Sequence, residues 1–523
     1  MSLLSGMVDR MASAMGYERS PGATLISTPD SGYRGARRDR RATREWVPPA
    51  GSANADILAG LDTLRSRSRD MARNVMVAAG AIHTVTTNVV GEGLVLKPTI
   101  DRELLDLDED AALEWEQQSA REFAHWCRSA DITGGLAFAD VQELAFRAVL
   151  ESGDCLIVRR FDPAIGDRYG LKLALIEADR LSNPARRVDT DRVKAGVQFA
   201  SSGRVEGYYI ANQHPGDFGL FHKSTEWSFV PKLGRDGGRL ALHLMTHQRP
   251  DQARGVPYLA PVVESLKQLG DYTDAEVTAA VNAAMMVAFV ESPTALDDEG
   301  NPIIGEPDDD PREPDESYLR NGATIHLLPG EKVNVTQPGR PNPNFDAFTM
   351  SFLRQAGVAL ELPFELLVKH FTASYSASRG ALELAWQFFR KRRAWLVRSL
   401  CEPVHEWFLT EAVAAGRLSA PGFLTDPMLR QAWCGCQWIG PSRISIDPQK
   451  EANADKIDLE MGVKTRDQII TERTGGQWRR KHEQLAREEA ARRDAGLGPS
   501  SASSPAPQPA EDDSEDDSED EDA

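Results

Sequence analysis

The strongest constraint on the fold of this chain is a change of period. Between Asn54 and Leu150 apolar residues recur every three or four positions; from Cys155 to about His247 they alternate. The first spacing places side chains on one face of a helix, the second on one face of a strand. Ile57, Leu58, Leu61 and Leu64 open a helical region from Asn54 to about Val90, which Gly91-Glu92-Gly93 breaks. A second helix is predicted from about Asp108 to Ser129, with Trp115, Phe123 and Trp126 as its bulk. A third runs from Phe138 to Leu150 and ends at Ser152-Gly153-Asp154. Short strands follow at Cys155 to Arg160, Leu171 to Ile176, Val193 to Phe199, Val205 to Ile210 and Trp227 to Val230, with another at Leu240 to His247. Helices first and strands afterwards describe an α+β module, not a repeating βαβ one.

From Tyr258 the pattern turns helical again for roughly thirty residues, through Val262, Leu266, Leu269, Val277, Val281 and Met285, a reach of about 45 Å at 1.5 Å per residue. Periodicity vanishes over residues 292 to 343, where Pro and Asp collect and one strand is expected at Thr324 to Leu328. A loop this long is functional or disordered. Helix resumes at Asn344 to Leu360 and at Ser376 to Ala415. Asp447-Pro448 and the Thr465/Gln468 pair mark two later helix starts, an N-cap acid before proline and a capping box.

Charge sits at the two ends. The net charge is -19, and the stretch Glu511 to Asp522, ten acids and no base, holds about half of it. The other end is basic, with Arg34, Arg37, Arg38, Arg40, Arg41 and Arg44, inside a Gly-, Ser- and Pro-rich arm of about fifty residues. A protein that grips DNA through phosphate contacts should be basic, so tight binding over the whole surface is not expected. No apolar run is long enough to span a membrane and no signal peptide is visible at the start, so the chain is expected to be cytoplasmic. Five cysteines, Cys127, Cys155, Cys401, Cys434 and Cys436, do not make a disulfide framework.

A search for chemistry finds near misses. Gly216 to Ser224 lacks the glycine that a phosphate loop needs before Lys223. Ser376-Ala377-Ser378-Arg379-Gly380 has Ser376 where a nucleophile elbow needs glycine. Cys434 and Cys436 could offer thiolates to zinc, with only the distant Cys401 and His405 to assist; small buried cysteines beside Trp433 and Trp438 are the better reading. Asp308-Asp309-Asp310 lacks the glycine and glutamate of a calcium loop and reads as solvated. Arg390-Lys391-Arg392-Arg393 with Arg398 reads as a solvated helix face or subunit salt bridges, with DNA phosphates as the second option. Trp386, Phe389, Trp395, Trp407 and Phe408 read as packing, within or between subunits. No cofactor or metal is expected.

Six short segments in order resemble the lambda-type portal protein family of tailed phages. They are Arg65-Ser66-Arg67-Ser68-Arg69-Asp70 with Arg73-Asn74 and Asn88 to Leu94; Glu151-Ser152-Gly153-Asp154; Leu175 to Leu181; His247-Gln248-Arg249-Pro250-Asp251-Gln252-Ala253-Arg254-Gly255-Val256-Pro257; Leu362-Pro363-Phe364-Glu365 with Tyr375 to Arg379; and Ile446-Asp447-Pro448-Gln449-Lys450-Glu451. Ala377 departs from the family's usual serine, and the tail is unusually acidic.

The resemblance implies a non-enzymatic subunit of a ring of about twelve copies, through which double-stranded DNA is packaged and ejected. It implies an α+β portal-type fold with wing, helical stem, clip and helical crown. The expected borders are a flexible arm at 1–50, wing 51–257, first stem helix 258–291, clip 292–343, second stem helix 344–364, channel loop 365–378, long helix 379–419, crown 420–495 and acidic tail 496–523. Lys369, His370 and Arg379 are expected near the DNA, and Asp308, Asp309 and Asp310 at the clip that docks the motor. The implied partners are other copies of the chain, DNA in transit, the terminase large subunit, major capsid and scaffold proteins, and neck proteins. The implied location is the capsid vertex of the virion, with the host cytoplasm during assembly. Two other classes compete: a metal-dependent nucleic-acid enzyme, which would need clustered acids in its core, and a monomeric scaffold or adaptor.

Overall fold

A computed structural model describes residues 33–37, 40–163, 167–217, 225–284, 288–291, 332–335, 344–371, 374–443, 447–474, 476 and 478–497. The chain divides into two units, Met1–Ser52 and Ala53–Ala523. The described part of the first holds one short turn of 3-10 helix, Arg34–Ala36.

The second unit opens with helices α1 (Ala53–Leu58), α2 (Leu61–Asn74) and α3 (Met76–Val89), which the sequence reads as one helical region. Val75, in an extended conformation, separates α2 from α3. Strand β1 (Val95–Pro98) follows, then α4 (Glu109–Cys127) and α5 (Phe138–Ser152). The Asp108 side chain caps α4 by accepting the Ala111 amide at 2.7 Å.

Six strands come next: β2 (Asp154–Phe161), β3 (Leu171–Glu177), β4 (Val193–Lys194), β5 (Val197–Phe199), β6 (Val205–Ala211) and β7 (Trp227–Pro231). With β8 (Ala241–Met245) they make two antiparallel sheets, ordered β3-β2-β8 and β4-β5-β6-β7. Strand β2 is the hinge of the core. Its Cys155 and Ile157 join the large helical core, whereas Leu156 and Val158 join a smaller core with Val197, Tyr208 and Ile210 of the four-stranded sheet. Period two thus serves two apolar layers at once, and each fully buried side chain there contributes about 1.5–3 kcal/mol.

Helix α6 (Val263–Ala284) is shorter than the helical pattern from Tyr258 suggests. Pro261 disfavours helical geometry at the residue before it, and residues 258–262 form turns instead. At its far end residues 288–291 are not helix but strand β9 (Ala288–Glu291), paired antiparallel with β10 (Lys332–Val335). The strand expected at Thr324 to Leu328 and the triad Asp308, Asp309 and Asp310 lie outside the described residues. Helix α7 (Phe345–Ala359) lies along α6, where Tyr272 stacks on Phe345 at 5.6 Å.

After a one-turn helix α8 (Phe364–Leu367), the long helix expected from Ser376 to Ala415 is α9 (Tyr375–Leu396) and α10 (Glu402–Ala414), joined by a π-helical turn at Val397–Cys401. Pro403 explains the turn: it has no N–H to return to the carbonyl four residues back. The Glu402 amide reaches the Val397 carbonyl, five back, instead. The chain closes with α11 (Pro427–Trp433), β11 (Cys436–Ile439, antiparallel to β1), α12 (Pro448–Glu460), α13 (Arg466–Thr474) and α14 (Trp478–Asp494). Both late helix starts take the form read from the sequence. Asp447 accepts the Lys450 amide, and Thr465 and Gln468 exchange hydrogen bonds at 2.9 and 3.2 Å.

Candidate functional site

Four of the six short segments meet at one buried carboxylate. Asp154, the first residue of β2, accepts from Arg65 Nη2 at 2.9 Å and from Arg254 Nε at 2.7 Å and Nη2 at 3.0 Å. The Gly255 amide donates to its Oδ2 at 2.9 Å, and His243 Nε2 stands 3.2 Å from the same oxygen. The guanidiniums use their remaining donors on backbone: Arg65 on Ser152, and Arg254 on Ala178, Leu181 and Ala195. One turn along α2, Arg69 binds Ser152 Oγ at 2.9 Å, Glu177 at 3.2 Å and Asp179. Arg65 of α2, Ser152 and Asp154, Ala178 and Asp179, and Arg254 and Gly255 are therefore one construction, although up to 190 positions separate Arg65 from Gly255.

The electrostatics keep it charged. Burial alone would raise the Asp154 carboxyl, but the Arg254 and Arg65 guanidiniums, with His243, hold it well below the usual carboxylate range. Burial, and then the neighbouring Arg254 charge, lowers Arg65 to about 10. Burial likewise lowers His243 against the pull of Asp154. The Arg65 and Arg254 donors named here all point at protein, so the site is a structural lock between α2, both sheets and the segment leading to α6.

The basic run on α9 is not the uniform solvated face that its sequence suggests. Arg393 turns inward, donating to the Asn88 carbonyl at 2.8 Å and the Val89 carbonyl at 3.1 Å, with its guanidinium 5.2 Å from the Trp386 ring centroid. It satisfies the free carbonyls at the end of α3, and burial lowers it to about 10. Arg392 lies over the rings of Phe388 and Tyr258 at 5.2 and 5.9 Å. Arg390, Lys391 and Arg398 remain exposed. The aromatic stripe packs inside the subunit: Phe389, Trp407 and Phe408 are buried, with Trp386 and Trp395 partly buried against the same core.

Lys369, His370 and Arg379 are all exposed. Lys369 has a left-handed backbone, φ 55°, just after α8, and the His370 amide returns to the Glu365 carbonyl at 3.1 Å. Arg379 stands on the second turn of α9, whose N-cap is Ser374. The loop and the helix start share one stretch of surface in sequence, and no side-chain bond joins the three residues.

The other candidates carry no chemistry of their own. Ser376 and Ser378 lie within α9, not on a strand-to-helix turn. Residues 218–224 of the phosphate-loop candidate lie outside the described residues. Burial pushes the thiols of Cys434 and Cys436 up to about 12 and about 11, and the His405 imidazole down to about 3. Among the described residues no set of further ligands gathers around either cysteine closely enough to hold a metal. Among the described residues Glu177, Asp179 and His214 alone gather closely enough to hold a cation, and Arg69 already pairs with both carboxylates there.

With this geometry in view, the class of the chain follows. The model of the family described as "Phage portal protein, lambda family" matches residues 39–393, and the chain belongs to that family. Its relatives include portal protein B of Escherichia phage lambda, 25% identical over 478 residues that cover 87% of this chain and 89% of that one. The portal protein of Escherichia phage N15 is 24% identical over 483 residues, with the same coverage of 87% and 89%. Among solved structures, the neck of an empty GTA particle is similar at TM-score 0.47 and 13% identity, covering 77% of this chain and 92% of that one. The matched span includes the whole Asp154 site and all three of Lys369, His370 and Arg379. The chain is thus a phage portal protein, a head–tail connector of the virion. No helix among the described residues is long and apolar enough to cross a membrane.

Proposed function

We propose that about twelve copies of this chain close into a ring at one capsid vertex, through which double-stranded DNA is driven in and later leaves. The observation that carries this reading is the family match over residues 39–393, together with the convergence of the family-like segments on Asp154. In this reading residues 51–257 are the wing, α6 and α7 the stem, residues 292–343 the clip, residues 365–378 the channel loop, and residues 420–495 the crown. The clip, with Asp308, Asp309 and Asp310, docks the terminase large subunit during packaging and neck proteins afterwards. Capsid and scaffold proteins meet the ring when it nucleates the shell in the host cytoplasm.

The role is that of a passive conduit. A net charge of -19 suits it, because each phosphate contact releases counterions and must be broken for DNA to slide. Lys369, His370 and Arg379 supply a few cationic or polar contacts at the loop, enough to steady the duplex without holding it. The force comes from a separate motor. Light scattering on the purified chain, paired with a DNA cleavage assay across divalent metals, tests the assignment. A mass of many subunits with intact DNA supports it. Metal-dependent cleavage that co-purifies with the chain, or a lasting monomer in the presence of capsid proteins, contradicts it.

A further inference from the structure

The end of α7, helix α8 and the outer face of α9 leave an apolar groove of about 720 Å³ between them. Its walls include Val358, Leu362, Phe364 and Leu384, and its charged lining is two bases, Arg354 and Lys391, and one acid, Glu361. Val358 is 82% exposed and Leu384 67% exposed, two large apolar side chains open to water in the wall of one groove. An apolar patch of this kind with a polar rim marks an interaction surface.

A matching surface lies elsewhere on the same chain. The outer face of α6 carries Glu264, Asp271, Asp274, Val277 and Val281, all exposed, within about two fifths of the helix circumference. Val277 is 58% and Val281 51% exposed, one helical turn apart, with the acids extending from them towards the helix start. The single base on this strip, Lys267, is already bound to Asp271. The groove is apolar with two bases against one acid, a net positive lining; the strip is apolar with acidic neighbours.

We propose that the α6 strip of one copy seats in the α7–α8–α9 groove of the next. The inference rests on the ring reading and deepens it by naming the two faces that meet. Because groove and strip are different surfaces, the contact is head to tail, the type that closes a ring instead of stopping at a dimer. The apolar walls select this occupant over the acidic end of the chain: residues 498–523 contain no large apolar side chain to fill the groove. Charge fixes the direction, since Arg354 and Lys391, which outnumber Glu361 in the groove, meet acids and a second such groove would repel them.

The test uses the full-length chain carrying Val277→Cys and Leu384→Cys together, treated with a short bis-maleimide and run on a denaturing gel. A ladder of successive multiples, absent from wild type and from either single variant, is expected. A band that stops at dimer, or no new band in rings seen intact by electron microscopy, overturns the contact while leaving the ring reading in place. Cross-linking of Leu384→Cys to Met11→Cys in place of Val277→Cys would assign the groove to the N-terminal arm and overturn it too. A second variant pair does not depend on cross-linking. Arg354→Glu with Lys391→Glu should lower ring yield about ten-fold, and adding Asp271→Lys with Asp274→Lys should restore it. Undiminished rings in the first, with helical content unchanged, contradict the proposal. Failure of the wild-type chain to form rings under any assembly condition counts against the ring reading itself.

Discussion

The backbones of Gly153 and Gly255 are in contact: a Cβ atom on Gly255 would stand 1.9 Å from the Gly153 carbonyl oxygen. Gly153 ends α5 with φ 91°, and Gly255 delivers its amide to Asp154. Two glycines, about a hundred residues apart in sequence, thus let the Arg254 segment lie flat against the start of β2. Gly255→Ala should cost at least about 2 kcal/mol, since backbone and not a flexible side chain must move. Gly153→Ala adds the left-handed strain that an L-residue carries, about 1–2 kcal/mol. Denaturant midpoints report both, and an unchanged midpoint for Gly255→Ala would contradict the close approach.

Asp154→Asn removes the acid paired with two buried guanidiniums, and should destabilise by about 3–5 kcal/mol. The pH dependence has a definite sign. The folded carboxyl titrates below its unfolded value of about 3.9, so its contribution is complete above that pH and is lost as pH falls through the folded value. Wild type should therefore lose more stability than Asp154→Asn on acidification from pH 4 downward. Parallel curves would refute the lock.

Arg393 and Arg390 stand three residues apart on α9 and should behave differently. Arg393→Ala strands the Asn88 and Val89 carbonyls and should cost about 1.5–3 kcal/mol. Arg390→Ala, at an exposed position, should change stability by about 0.5 kcal/mol or less. Equal effects would restore the solvated-face reading for both.

His405 is wholly buried with neither ring nitrogen hydrogen-bonded, 5.6 Å from the Phe123 ring and edge-on to it. Its folded pKa of about 3 lies below the unfolded value of about 6.5. Stability should thus fall as pH drops from about 6.5 towards 3, by about 1.4 kcal/mol per pH unit from this residue alone. His405→Leu should remove that slope and be neutral or stabilising at pH 7. Identical slopes for the two proteins would show that the imidazole is solvated.

Most strands of the two main sheets are legible in the sequence to within a residue or two, because alternation is a local signal and Val, Ile, Leu and Tyr carry it there; the exception is Val193 to Phe199, read as one strand but folded as the hairpin β4–β5, whose turn at Ala195 and Gly196 takes positive φ. The Asp447 and Thr465 caps are legible for the same reason: the donor and acceptor lie within three residues. What is not legible is long-range. Strand β1 pairs with β11 across some 340 positions through four residues each, too few to show a period. Arg393 reads as one more surface base, because nothing nearby in sequence announces the open carbonyls of α3. The π-helical turn had a signal in Pro403, but a proline three residues past a run of helix-formers also reads as a simple kink. The Asp154 site was half visible. Its segments could be recognised one by one, whereas their meeting at a single carboxylate is a property of the fold.

Cryo-electron microscopy of the purified assembly tests the central claim most directly. A closed ring of about twelve subunits is expected, with α9 and the Lys369 loop lining an axial opening that admits a double helix. An assembly with no axial opening, or one too narrow for duplex DNA in every state, would contradict the account.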